Sequence, residues 1–405
     1  MGHEQRQAAS FFAHGLLSSS ITFVFASEDY AFRRTLVPHI KAANQHDGLM
    51  GILMTYDDER YTNYGLVFYE AGYWKDAEQL FVQVLETRKR VLGEEHPSTL
   101  TSMVNLVSIY WKQGCWKEAE QLEVQVLETT KRVLGEEHPS TLTSMGNLVM
   151  MYWNLGRWKE AEQLGVQVLE TTKRVLGEEH PDTLTSMANL ASTYRNQGRW
   201  KEAEQLFVQV LETRKRVLGE EHPETLTSMM NLALTYWNLG QWKKAEQLGF
   251  QVLETKKRVL GEEHPDTLTS VANLASMYRN LGRWKEAEQL EVQVLETRKR
   301  VLGEEHPDTL TSVANLALTY GNLGRWKEAE QLEVQVLETT KRVLGEEHPD
   351  TLRIMNNLAY TLKSQGQDEK AISLMKNAVD LLIKQLGPTH PNTISAINTL
   401  NTWQK

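Results

Sequence analysis

Apolar residues between positions 181 and 222 follow two successive helical patterns. The first begins at Pro181, whose fixed φ angle suits the opening turn of a helix, and Gly198 follows it as a stop. Its members are Leu184, Met187, Leu190, Ala191 and Tyr194. The second begins near Trp200 and ends before Gly219. Its members are Ala203, Leu206, Val210, Val217 and Leu218. The pattern predicts a hairpin of two helices, which we name helix A and helix B.

The same pattern recurs along the chain with a step of 42 residues. The string Leu-Gly-Glu-Glu-His-Pro ends at Pro97 and returns at each step as far as Pro349, and a degenerate copy ends at Pro391. A Trp near the start of helix B keeps the same step from Trp74 to Trp326. One hairpin of this size cannot cover its own apolar stripes, so neighbouring hairpins must stack and share a core. We predict an all-α fold, an α-solenoid.

The repeats divide the chain into three parts. We predict a short helical segment at residues 1–54, eight repeats at 55–390 and a capping helix at 391–405. The first repeat lacks the leading proline and the last has Asp368 in place of the repeated Trp, as expected of units that shield the ends of a stack. The eight repeats are 55–96, 97–138, 139–180, 181–222, 223–264, 265–306, 307–348 and 349–390.

Short motifs within each repeat resemble a known family. Helix A carries Asn189-Leu190-Ala191-x-x-Tyr194, followed by a Gly-Arg-Trp turn and Ala203 in helix B, and this arrangement resembles a tetratricopeptide repeat. The 42-residue form, with Leu-Gly-Glu-Glu-His-Pro, is similar to the repeats of kinesin light chains and to the repeat tails of fungal NLR-like receptors. The resemblance covers residues 55–405. It implies a right-handed superhelix whose A helices line a concave groove.

Two alternatives to a general scaffold follow from these resemblances. Kinesin light chains are cargo adaptors with a heptad segment upstream, and residues 1–54 contain no sustained heptads. Residues 32–39 resemble the short helical piece that precedes the repeats in the fungal receptors. Those receptors carry an NTPase module, and this chain has no Gly-Lys-Ser or Gly-Lys-Thr. The resemblances leave two alternatives open. The chain is a cargo adaptor like a kinesin light chain, or it is a ligand-sensing fragment of an NTPase receptor that lacks the NTPase module.

Differences between the copies mark candidate binding residues on helix A. Three positions vary, and their spacings of four and three residues place them on one helical face. The first row is Val104, Gly146, Ala188, Met230, Ala272, Ala314 and Asn356. The second row is Ser108, Met150, Ser192, Leu234, Ser276, Leu318 and Tyr360. The third row is Trp111, Trp153, Arg195, Trp237, Arg279, Gly321 and Lys363. Solvent-type residues such as Lys201 and Glu202 are nearly fixed, so variation concentrates on this face, which the resemblance places in the groove.

A repeated Asn follows each member of the first row. The candidates for partner binding are Asn105, Asn147, Asn189, Asn231, Asn273, Asn315 and Asn357. An amide offers both a donor and an acceptor, so a row of amides can hold the backbone of a ligand whatever its side chains. The resemblance supports this role, because Asn at this site contributes to peptide-carboxylate binding in some tetratricopeptide domains. The alternative is that each Asn bridges adjacent helices.

Composition narrows the class of partner. The formal net charge of -9 excludes the basic surface expected of a general nucleic-acid binder. The sequence predicts no membrane partner, and its single cysteine, Cys115, favours a reducing, cytoplasmic location. Interleaved Trp and Arg in the third row suit a protein or an extended peptide with acidic and apolar residues. The oligomeric state stays open.

Other features of the sequence favour no chemistry. The repeated histidines lie one per repeat, too far apart for a shared metal site, and are interpreted as loop or packing residues. The seven repeated Trp are interpreted as framework residues. A varying row in helix B stays unassigned: Phe81, Glu123, Gly165, Phe207, Gly249, Glu291 and Glu333. We therefore predict no catalytic, cofactor-binding or metal-binding residues and a noncatalytic interaction scaffold.

The groove assignment predicts a change in partner capture. A variant with Trp153→Ala, Arg195→Ala and Trp237→Ala should lose partners or affinity relative to the intact array, because it removes the large side chains of the third row. Affinity capture with both proteins measures this. Identical partner lists and affinities would contradict the assignment.

Overall fold

The computed structural model describes residues 17, 20–21, 27–50 and 58–404. The chain forms two units, Met1–Val133 and Leu134–Lys405. Within the described residues it contains eighteen helices and no strand. Most of the predicted N-terminal segment before position 27 lies outside the described residues. The helices are α1 (Ser27–Met50), α2 (Asp58–Glu70), α3 (Trp74–Leu92), α4 (Pro97–Lys112), α5 (Trp116–Leu134), α6 (Pro139–Asn154), α7 (Trp158–Leu176), α8 (Pro181–Asn196), α9 (Trp200–Leu218), α10 (Pro223–Asn238), α11 (Trp242–Leu260), α12 (Pro265–Asn280), α13 (Trp284–Val301), α14 (Pro307–Asn322), α15 (Trp326–Val343), α16 (Pro349–Ser364), α17 (Asp368–Leu386) and α18 (Pro391–Trp403).

The predicted hairpins are present, and the all-α solenoid is confirmed. Even-numbered helices from α2 onward are A helices, and odd-numbered helices from α3 onward are B helices. In the second unit, each B helix packs against the A helix before it and the A helix after it. A glycine follows each helix of the hairpin: Gly198 (φ +79°) follows α8, and Gly219 (φ +94°) follows α9. Both adopt the left-handed backbone conformation that only glycine takes without strain.

The core lies between the helices of successive hairpins. On α8, Leu184 and Ala191 are buried, and on α9, Ala203 and Val210 are buried. The prediction that the helix B stripe continues to Val217 and Leu218 was wrong, because Val217 is 45% exposed and Leu218 is partly exposed. The buried face of α9 ends one turn earlier at Arg214. The last turn extends beyond the packed interior.

The repeated histidines begin the helices that follow them. At each repeat the imidazole Nδ1 accepts a hydrogen bond from the backbone N–H two residues later, as in His180 with Asp182 at 3.2 Å. Prolines such as Pro181 fill the first helical position, where a missing N–H costs nothing. The interpretation as loop or packing residues therefore omitted their role as helix N-caps. The capping histidines are His96, His138, His180, His222, His264, His306, His348 and His390.

The arginine of the Gly-Arg-Trp turn connects neighbouring hairpins through a cation–π contact and an ion pair. The guanidinium of Arg199 lies 3.9 Å from the ring centroid of Tyr194 on helix A and donates to Glu162 on the preceding B helix at 2.6 Å. Equivalent contacts recur at Arg283 and Arg325. The same pair of contacts therefore links neighbouring hairpins at Arg199, Arg283 and Arg325.

The loop with the sequence Leu-Gly-Glu-Glu-His-Pro forms a second contact between repeats, an ion pair. Its second Glu pairs with an Arg at the end of the next B helix, as in Glu179 with Arg216 at 2.6 Å. The same pair recurs at Glu137–Arg174, Glu221–Arg258, Glu263–Arg300 and Glu305–Arg342. Because solvent screens exposed charges, each of these pairs contributes little to stability. Their main effect is to favour one register between repeats.

The start of the last helix contacts a distant repeat within the second unit. The imidazole Nε2 of His390 lies 3.2 Å from the backbone oxygen of Asn154, at the end of α6. Gly156, with φ +68°, allows this approach, because a side chain there would begin 3.0 Å from His390 and Pro391. The terminal helix therefore packs on α17 and also contacts the turn between α6 and α7.

The cap geometry predicts how a histidine substitution alters local stability. His222→Ala should destabilise the first turn of α10 by about 1 kcal/mol, whereas His222→Asn should retain most of the stability because its side chain can accept the same hydrogen bond. Native-state hydrogen exchange at the first amides of α10 measures the difference. Protection in His222→Ala equal to that in the unsubstituted protein would show that the imidazole is not the cap.

Candidate functional site

The predicted site residues lie on consecutive A helices. Asn105, Ser108 and Trp111 lie on α4 in the first unit, and the others lie on α6 to α16 in the second. All are half-buried except Ser192, which is buried. In the second unit, consecutive A helices contact one another at α6–α8, α8–α10, α12–α14 and α14–α16. Such close approach is expected on the inner side of a curved stack.

The repeated Asn side chains differ in their contacts. The guanidinium of Arg195 approaches Asn231 of the next A helix, 3.3 Å from its backbone oxygen and 3.5 Å from its side-chain oxygen. That contact fits the alternative in which Asn bridges helices. The amide side chains of Asn105, Asn189, Asn273, Asn315 and Asn357 have no hydrogen bond to the described residues. These five are half-buried and have their donors and acceptors available.

The third row of variable residues is held mainly by contacts within the protein. The indole Nε1 of Trp153 donates to the Thr193 hydroxyl on the next A helix at 2.7 Å. The guanidinium of Arg279 donates to Glu291 at 3.0 Å and to the backbone oxygen of Asn315 at 3.3 Å. These side chains form part of the wall between repeats. Their variation therefore has a packing component as well as any role in binding.

The unassigned row in helix B is buried, and two of its members contact the third row. All of its members from Phe81 to Glu333 are buried. The Arg195 guanidinium lies 5.6 Å from the centroid of the Phe207 ring, and Arg279 pairs with Glu291. Each facing pair is 12 residues apart in sequence. The same spacing relates Trp153 to Gly165 and Trp237 to Gly249. A side chain on Gly165 would nevertheless meet Val149 and Leu190 first.

Two buried carboxyl groups in this row differ in their surroundings. Burial raises the pKa of Glu291 to about 7, although the neighbouring Thr319 hydroxyl and Arg279 guanidinium favour the charged form. Burial also raises the pKa of Glu333 to about 7; the Thr361 hydroxyl opposes this shift. Gly321 occupies the position of Arg279 in the next repeat, and Glu333 that of Glu291. The Thr361 hydroxyl is near enough to favour the charged carboxylate, but neither carboxylate oxygen of Glu333 has a hydrogen bond of good geometry to the described residues.

Four of the repeated Trp side chains are exposed to solvent. Trp242 is 53% exposed, and Trp200, Trp284 and Trp326 are also exposed. Each lies five residues after a third-row residue, across the turn between helices A and B. The rings of Trp237 and Trp242, for example, have centroids 6.3 Å apart. The rings therefore lie at the surface in these four repeats, and their interpretation as framework residues stays a prediction. They extend the candidate surface.

The described residues contain no group of three or more His, Cys, Asp or Glu side chains suited to holding a metal ion. Among the described helices, none has both the length and the apolar character that crossing a membrane requires.

Stacked helix hairpins with one variable face define an α-solenoid of the interaction-scaffold class. Models of the tetratricopeptide repeat match residues 59–132, 102–171, 146–216 and 186–258. A second model of the same repeat matches residues 267–308, 309–350 and 351–392. The chain belongs to the tetratricopeptide-repeat family. A comparison with curated proteins yields no match.

Several solved structures are similar to this chain. A Podosopora anserina protein named for kinesin light chain and for nearly identical TPR-like repeats is 36% identical over 51% of this chain and 98% of its own, with a TM-score of 0.43. BtubC (BKLC) from P. vanneervenii is 20% identical over 57% of this chain and 92% of its own, with a TM-score of 0.46. A Rap protein complexed with Competence and Sporulation Factor is 12% identical over 86% of this chain and 100% of its own, with a TM-score of 0.50.

The raised pKa of Glu333 predicts a pH-dependent stability effect. The folded state holds this proton up to about pH 7, whereas an unfolded carboxyl releases it near pH 4.5, so the carboxyl's contribution to stability falls as pH rises between these values. Between pH 4.5 and pH 8, the stability of Glu333→Gln relative to the unsubstituted protein should therefore rise by up to about 3 kcal/mol.

Urea unfolding at both pH values measures this difference. Glu338→Gln, at an exposed site on the same helix, is the matched control. Parallel pH dependence in Glu333→Gln and the unsubstituted protein would contradict the raised pKa.

Proposed function

We propose that this chain is a noncatalytic scaffold that binds an extended peptide or a protein segment along its A helices. The observation that carries the proposal is the row of half-buried Asn side chains. Within the second unit, the amide side chains of four of them, Asn189, Asn273, Asn315 and Asn357, make no hydrogen bond to the described residues. Unpaired amides that repeat at regular intervals suit a ligand whose own amides repeat at regular intervals.

Helix packing gives a spacing compatible with this mode of binding. Neighbouring helices pack about 8–10 Å apart. An extended chain advances about 3.3 Å per residue. Successive Asn side chains could therefore meet the ligand backbone about every third residue. The ligand's side chains would then face the variable rows in a fixed order along the array.

The chemistry beside the Asn row favours acidic and apolar side chains in the partner. Trp200 and Trp242 present exposed rings on the side of the turns. Arg195 reaches the oxygens of Asn231, and it forms no ion pair among the described residues. Its positive charge can therefore attract a carboxylate of the partner. Arg279, which pairs with Glu291, supplies less net charge to the surface.

A kinesin-light-chain-like cargo adaptor is a second candidate. It is favoured by the 42-residue repeat with its Leu-Gly-Glu-Glu-His-Pro string, which is similar to the repeats of kinesin light chains. The two candidates share the same binding surface and differ in what the bound partner is attached to. Direct binding of the full chain to a kinesin heavy-chain coiled coil would favour the adaptor.

The proposal predicts that the unpaired amides contribute to affinity. Peptides selected from a displayed library of random sequences about 12 residues long should bind the intact chain, since this length spans about four repeats. Asn189→Ala combined with Asn273→Ala should weaken their binding about tenfold or more, because each lost hydrogen bond contributes about 1 kcal/mol. Isothermal titration calorimetry measures the affinities.

Gln205→Ala combined with Gln289→Ala is the matched control, since it alters two exposed amides on the B helices of the same repeats. These Asn variants test the surface more cleanly than substitutions of Trp153 or Arg195, which would also break contacts between repeats. Peptides that bind the Asn variant as tightly as the intact chain would contradict the proposal.

A further inference from the structure

The seventh repeat contains a buried carboxyl group that lacks the cation present one repeat earlier. In the sixth repeat, the Arg279 guanidinium reaches from the third row of α12 to Glu291 on α13, at 3.0 Å. In the seventh repeat, Gly321 on α14 replaces the arginine, and Glu333 on α15 keeps the carboxyl group. Glu333 is 1% exposed. The seventh repeat thus keeps the acceptor of the pair and lacks the donor.

Two cations on the adjoining elements are engaged elsewhere. Arg325, in the turn between α14 and α15, donates to Glu288 at 2.6 Å and also pairs with Glu328. Lys363, on the next A helix, pairs with Asp368 at 3.2 Å. Neither carboxylate oxygen of Glu333 has a hydrogen bond of good geometry to the described residues. An ionised carboxylate left in this position is costly, and a cation supplied from outside would relieve that cost.

We propose that Glu333 forms the base of a binding site for a guanidinium group carried by the partner, which would take the place that the Arg279 side chain occupies one repeat earlier. The proposal rests on the proposed function, because Gly321 belongs to the variable row of the binding face. A guanidinium fits better than an ammonium because its planar fork can donate two parallel hydrogen bonds to one carboxylate.

Trp326 lies beside Gly321, the residue that replaces the arginine. A Cβ atom on Gly321 would lie 3.2 Å from the Trp326 ring, so the indole covers the position where an arginine side chain would begin. The ring is 36% exposed and can be reached from solvent. An entering guanidinium would pass the indole face, which attracts cations. Trp326 is therefore the natural reporter of occupancy.

The charges around the site also predict that binding changes the protonation of Glu333. Burial raises the pKa of Glu333, and like-charge repulsion from Glu330 on the same helix raises it further. A bound guanidinium would favour the ionised carboxylate and lower this pKa. Binding near neutral pH should accordingly release a proton, whereas an adventitious surface ion pair would leave Glu333 unchanged.

N-acetyl-L-argininamide is a suitable probe for the full chain. Titration at pH 8 and physiological salt should shift the indole Nε1–H resonance of Trp326 and follow a single-site curve. Glu333→Gln should weaken this binding at least tenfold, because the amide keeps the shape and loses the charge. Gly321→Arg should abolish it, because the new side chain would pair with Glu333 as Arg279 pairs with Glu291. Glu338→Gln should bind as the unsubstituted protein does.

A second variant covers the case in which Gly321→Arg does not fold. Gly321→Ala adds one carbon against the Trp326 ring and should weaken binding with little change in the rest of the helix. N-acetyl-L-lysinamide should bind more weakly than the arginine probe. Equal binding to the unsubstituted protein and Glu333→Gln, or no probe binding to the folded unsubstituted protein, would overturn the proposal.

The library peptides separate this inference from the proposed function. Peptides that depend on Asn189 and Asn273 while the arginine probe fails would refute only the Glu333 site. An arginine probe that depends on Glu333, with peptides insensitive to the Asn substitutions, would support the site and contradict the proposed binding mode. Selected peptides should carry an arginine whose replacement by alanine costs the same affinity as Glu333→Gln.

Discussion

The packing of each B helix between two A helices is the constraint on which this structure depends. A single hairpin buries only one side of helix B, and the next A helix must cover the other. In the second unit, α9 packs against α8 before it and α10 after it, and the same arrangement recurs from repeat to repeat. Recurring contacts at the edges of the repeats support this packing. Arg199 stacks on Tyr194 and pairs with Glu162, and the N-cap histidines fix the first residue of each A helix.

The same constraint explains why the variable face is less free than its exposure pattern suggests. A change in a residue on the face of helix A that points towards helix B alters the surroundings of its neighbour in the core. Arg195 lies over Phe207, and Arg279 pairs with Glu291. Glu333 shows the result when one member changes to glycine and the other does not: a buried carboxyl group without its cation. Variation between copies therefore reports packing and binding together, and the unpaired Asn amides are the residues least affected by packing.

Much of the fold could be predicted from the sequence because its signals are local and repeated. The 42-residue step, the Pro and Gly at the helix ends and the apolar stripes predicted the order, length and type of the helices. The site was predicted less completely. Val217 follows the apolar stripe and is nevertheless exposed, whereas Glu333 interrupts an apolar pattern and is nevertheless buried. Periodicity gives the direction in which a side chain leaves its helix, and it does not show whether another helix lies there.

The sequence by itself determined the repeat, the helix hairpin and the family to which the chain belongs, since each depends on a pattern contained within the 42-residue step. The tertiary structure alone decided which members of the variable rows are held by neighbours and which remain available. It placed Trp242 in solvent, joined Arg195 to Asn231 and brought His390 to Asn154, 236 residues away. The physical reason is that these contacts arise from the stacking of separate repeats, where small rotations between neighbours accumulate and no local pattern of residues records the result.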